Sequence, residues 1–119
     1  MLRLVHLFDL KPGQNEEVFL TWLDATFFEQ AKKFGCISRK TWVFLDGLED
    51  PYGKGKKVTN RPKYINEAFW ENQEGAEKFR QWLKSGEGMK YRQHWNESVV
   101  NQTVLRYVDY APPQNLSDD

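Results

Sequence analysis

The 119-residue chain is long enough for one domain and too short for two. Its 17 Lys and Arg balance 17 Asp and Glu, so no net field draws it to nucleic acid or to an anionic membrane. Aromatic residues make up 15% of the chain, a load that is expected to spill from the core into a pocket or a dimer interface. Cys36 is the single cysteine, which excludes an intrachain disulfide. The N-terminus lacks the apolar run of a secretory signal, and no stretch approaches a membrane span, so a soluble cytoplasmic protein is expected.

In chain order, Leu2 to Leu10 alternates as a strand, with Leu2, Leu4, His6, Phe8 and Leu10 on one face and Arg3, Val5, Leu7 and Asp9 on the other. "KPGQN" is a turn, and Asn15 followed by Glu16 and Glu17 has the form of a helix N-cap. The spacing predicts a helix from Glu16 to Phe34, with Leu20, Leu23, Phe27, Ala31 and Phe34 as one apolar stripe and Val18, Trp22 and Ala25 as a second. Gly35 ends it. Cys36 to Gly47 reads as the second strand.

The polar, Gly-rich segment 46–62 is a long connection or hairpin, and its "GKGKK" lacks phosphate-loop spacing. Lys63 to Trp70 is the third strand, placing Tyr64, Asn66, Ala68 and Trp70 on one face. Asn72 caps a helix whose inward residues are Ala76, Phe79, Trp82 and Leu83. Gly86 and Gly88 break that helix, "MKYRQHWNE" forms a second short piece, and Asn101 to Ala111 is the last strand. Residues 1–111 therefore form one domain, and 112–119 a flexible tail.

The order β-α-β-β-α-β defines an α+β fold of the ferredoxin-like type, a four-stranded antiparallel sheet with two helices on one face. The other face is also apolar. A second copy of the sheet is the economical cover, so a homodimer through the sheet faces is expected.

"LKPGQNEEVF" and "FWENQEGAEKFRQWLKS", in this order across nearly the whole chain, resemble the dimeric α+β-barrel proteins of the antibiotic-biosynthesis-monooxygenase (ABM) type. "FRQWLKSGEGMKYRQH" is similar to the second helix of the haem-degrading members, with Phe79, Trp82 and His94 in the corresponding places. His6 stands where those members carry Asn. The resemblance implies a small monooxygenase. It would work either without a cofactor on an electron-rich aromatic substrate or on haem, with His94 on the iron and Trp82 against the macrocycle. On a continuous helix the twelve residues from Trp82 to His94 would turn the two side chains about 120° apart. The glycine break can correct or keep that angle.

The candidate catalytic residues are thus His6, Trp82 and His94, with Trp42, Tyr64, Asn66, Trp70 and Phe79 as walls for a small hydrophobic or aromatic ligand. Each has an ordinary structural alternative: an exposed helix histidine, a hydrogen-bonded core histidine, or packed aromatics. No zinc-ligand spacing or nucleophile–base pairing stands out. A non-catalytic dimer that binds a ligand is the competing class, since a fold does not fix chemistry.

Overall fold

The computed structural model of the protein describes residues 1–111; residues 112–119, on which the expected flexible tail falls, lie outside the described residues. The strands are β1 (Leu2–Leu10), β2 (Cys36–Val43), β3 (Leu48–Glu49), β4 (Lys56–Lys57), β5 (Tyr64–Trp70) and β6 (Val99–Val108). The four long strands make an antiparallel sheet in the order β2-β5-β1-β6, and β3 pairs with β4 as a short hairpin inside the long connection. This is the ferredoxin-like α+β arrangement. No helix among the described residues is long and apolar enough to cross a membrane.

The first helical stretch comprises α1 (Glu16–Thr21), a π-helical segment (Trp22–Phe27) and α2 (Phe28–Lys32). Asn15 caps it, its side-chain oxygen accepting from Val18 N–H at 3.0 Å. Its buried stripe is Phe19, Leu23, Phe27 and Ala31. Phe19 replaces the expected Leu20, and Val18 is exposed. Residues four apart drift by about 40° per step on a regular α-helix. The wider i→i+5 winding of the π segment offsets that drift and keeps all four on the sheet.

Tyr64, Asn66, Ala68 and Trp70 of β5 are all buried while the residues between them are not, so one face of the sheet carries the core. Leu2 and Phe8 join them from β1. α3 (Gln73–Leu83) is capped by Asn72 as expected, the side chain accepting from Gly75 N–H at 2.8 Å, and contributes Phe79. After a 3₁₀ turn (Gly86–Gly88), α4 (Met89–Ser98) contributes Trp95. Ser98, also buried, donates to the His94 carbonyl at 2.7 Å, and the chain passes directly into β6 at Val99 rather than Asn101.

The two glycines of the break do different work. Gly86 has φ +62 with open space around it, so it serves the backbone alone. A Cβ on Gly88 would collide with the Trp82 carbonyl, so Gly88 lets α4 fold back against the end of α3. Gly88→Ala is expected to lower stability by about 1–3 kcal/mol through overpacking. Gly86→Asn, which tolerates the left-handed region, should cost well under ~1 kcal/mol. Urea unfolding of the two variants checks this, and equal losses would contradict the assigned roles.

Candidate functional site

A cavity of about 670 Å³ lies between the core face of the sheet and the helices, within the roughly 300–1,000 Å³ of small-molecule pockets. His6, Asn66 and Trp70 reach it from the two central strands, because even-numbered residues of β1 and β5 share the core face. Phe79 reaches it from α3 and Trp95 from α4. Of the residues singled out in the sequence, the fold therefore brings together His6, Asn66, Trp70 and Phe79.

It sets four others apart. Trp42 lies on the opposite face of the sheet, 49% exposed, with the Lys40 ammonium 4.0 Å from its ring centroid. A register shift between Cys36 and Ser38 adds one residue to β2, and one residue flips every later side chain to the other face. Tyr64 is buried beyond the cavity, stacked on Phe8 at 5.3 Å with its hydroxyl on Glu16. Trp82 packs between Phe34, Phe79 and Tyr91 outside the cavity wall. His94 is exposed and meets Trp22 edge-on at 4.4 Å.

That position of His94 bears on haem. The ligand set implied by the resemblance needs an imidazole from α4 inside the cavity, and Trp95 stands there instead. The residues present do not fit a macrocycle held in this cavity through His94.

Three residues that the sequence reading passed over complete the site. The first is Trp95, 5% exposed, whose ring lies 4.4 Å from His6, 5.5 Å from Phe8 and 5.3 Å from Phe27. The second is Gln102. Its side-chain oxygen accepts from Trp95 Nε1–H and contacts His6 Nε2, both at 3.0 Å. An indole N–H can only donate, so it fixes which end of the Gln102 amide faces these rings. His6 Nε2 must then carry the proton, leaving Nδ1 as the lone-pair nitrogen. The third is Arg39, turned inward by the same β2 irregularity that turns Trp42 outward. Its guanidinium donates to Asn66 Oδ1 at 2.5 Å and lies over the Phe27 ring at 5.0 Å, while Asn66 donates to Thr41 Oγ1 at 2.9 Å.

Burial pushes the His6 imidazole from 6.5 down to about 4; the Gln102 hydrogen bond opposes this and the Arg39 charge adds to it. His6 is therefore neutral at pH 7. Burial also disfavours the charge on Arg39 and raises the neighbouring Cys36 thiol. Among the described residues no group of three or more His, Cys, Asp and Glu could hold a metal ion.

No protein-family model and no curated protein matches the sequence. Among solved structures the chain is similar to At3g17210 from Arabidopsis thaliana, at 12% identity and TM-score 0.64, over 96% of this chain and 100% of that one. It is similar to HapK from Hahella chejuensis at 8% identity and TM-score 0.63, over 96% and 97% of the two chains. At these identities the likeness is one of fold, and it agrees with the ferredoxin-like α+β architecture. A point mutant of MhuD with two manganese protoporphyrins bound per active site reaches a TM-score of 0.47 at 14% identity, too distant in shape to inform this site.

The His6 environment ties stability to pH. As pH falls from about 6.5 to about 4, the unfolded chain takes up a proton that the folded chain refuses. Stability is present above that window and falls across it, by about 3 kcal/mol from this group. His6→Gln should flatten the dependence of the urea midpoint on pH between 7 and 4, whereas parallel curves for both proteins would contradict the buried neutral imidazole.

Proposed function

We propose that this chain is a small ABM-like monooxygenase that holds an electron-rich aromatic compound in the cavity, with His6 as the base that takes its proton. One observation carries the reading: a neutral imidazole of defined tautomer lines an aromatic-walled cavity beside the Asn66 amide. Trp70, Phe79 and Trp95 would orient the ring and exclude water, and Asn66 would hydrogen-bond an oxygen of the substrate. Proton transfer to Nδ1 of His6 leaves an electron-rich anion that can itself reduce O₂. For a ring CH₂, one oxygen atom becomes the new carbonyl and the other leaves as water, so the four electrons O₂ accepts come from the substrate.

A second reading, binding without turnover, is favoured by one observation. A pKa of about 4 makes His6 a weak base at neutral pH, below the range in which proton transfer is most efficient.

We also propose that two copies pair through their sheets. The face away from the helices carries Val5, Leu7, Trp42, Ile65, Leu105 and Tyr107, of which Trp42, Leu105 and Tyr107 are at least 40% exposed in the single chain. An apolar sheet face of this kind calls for cover.

Oxygen uptake with 1,8-dihydroxyanthrone, whose ring CH₂ is acidic and electron-rich, tests the reaction. The expected result is turnover that falls about 10²-fold or more in His6→Gln, with quenching of Trp fluorescence by the probe retained. Saturable quenching without oxygen uptake would establish the binding reading, and absence of both would contradict the pocket. Light scattering should give twice the chain mass, reduced to a single chain by Leu105→Glu; a monomeric unmutated protein would contradict the pairing.

A further inference from the structure

The chain is neutral overall, but its cavity is not. Arg39, Arg80, Lys84, Arg92 and Arg106 all line it, against the single carboxylate of Glu77. Glu77 is already bridged to Arg80 at 3.2 Å. Among the described residues Arg39, Lys84, Arg92 and Arg106 are absent from every salt bridge. Three of these, Lys84, Arg92 and Arg106, are solvent-exposed, where an unpaired cation is cheap to keep.

Arg39 is different. It lines the cavity, hydrogen-bonded to Asn66 and with its guanidinium over the Phe27 ring, and its Nε is buried without an acceptor. The carboxylate whose charge acts on it, Asp24, is exposed and forms no ion pair with it. Trp70 Nε1, in a side chain only 1% exposed, is a second buried donor with no partner. Among the described residues these two are the buried side-chain nitrogen or oxygen atoms left unsatisfied, and both belong to residues of the cavity wall. Keeping a half-buried guanidinium without an anion is costly, and unmet buried donors add to that cost.

We propose that the cavity takes an aromatic organic acid, with its carboxylate seated on Arg39. The aromatic body lies against Trp70, Phe79 and Trp95, and the exposed Lys84, Arg92 and Arg106 form a cationic approach that draws the anion inward. The carboxylate supplies the counter-charge that Arg39 lacks. A planar guanidinium suits a carboxylate better than a point charge does, because its forked donors match the two oxygens. This inference rests on the reading of the cavity as an aromatic-binding site and adds the charge of the ligand to it.

The test uses two probes of nearly one shape, 2-naphthoate and the neutral 2-naphthalenemethanol, titrated into the full-length protein at pH 7 and low salt by calorimetry. The acid is expected to bind at least tenfold more tightly than the alcohol. In Arg39→Gln that preference should fall about tenfold while the alcohol's affinity is kept. Arg106→Gln, at an exposed position, should lower only the acid's affinity, by a smaller factor. Because the comparison of the two probes is made in the unmutated protein, it stands even where Arg39→Gln fails to fold. Equal affinities for acid and alcohol would overturn the anion inference and leave the aromatic pocket standing. Binding of neither probe would overturn both.

Discussion

Trp95 occupies the point where β1, the first helical stretch and α4 converge, and the geometry of the site follows from holding it there. Its ring lies within 6.3 Å of those of His6, Phe8, Phe19, Trp22 and Phe27, and its N–H is tied to Gln102 on β6. Packing of this kind gives aromatic side chains their energetic weight, and the hydrogen bond keeps the indole from carrying an unmet donor into the core. The same Gln102 oxygen meets His6, so the contact that seats α4 on the sheet also sets the tautomer of the one imidazole in the cavity. The packing of the core and the preparation of the candidate base are thus one arrangement.

The order of strands and helices was enough to read the fold, and alternation along β1 and β5 placed part of the candidate site. His6, Asn66 and Trp70 keep strict period-two registers, so their common face was legible. Asn15 and Asn72 announced their helices by side chains that cap. What the sequence concealed lies beyond irregularities. The extra residue near Ile37 exchanges Trp42 for Arg39 on the core face, and nothing in "CISRKTW" marks where the pairing slips. The π segment moves the first stripe from Leu20 to Phe19. On α4, adjacent residues point about 100° apart. The Gly86–Gly88 turn sets which of them enters, and it admits Trp95 and excludes His94.

Those irregularities also build the electrostatics. A strand of unbroken alternation would have put Trp42 inside and left Arg39 in solvent. The slip places a guanidinium within reach of a buried imidazole, and each charge raises the cost of the other. His6 gives way by staying neutral, since an imidazole can shed its proton and a guanidinium does not. The cavity thus presents a charged guanidinium and a neutral imidazole as separate groups. On the proposed reading, a negative group of the ligand would lie near Arg39 and a proton donor near His6, which makes the two roles compatible in one small space.

The measurement that tests this account most directly is nitrogen-15 NMR of the His6 ring in uniformly labelled protein, followed from pH 7 to pH 5. A protonated, pyrrole-like Nε2 and a bare, pyridine-like Nδ1 are expected, with shifts that move little down to pH 5 because burial holds the His6 pKa at about 4. Averaged nitrogen shifts, or a titration centred near the ordinary histidine value of about 6.5, would show a solvated ring free of Gln102. That result would contradict the site as described.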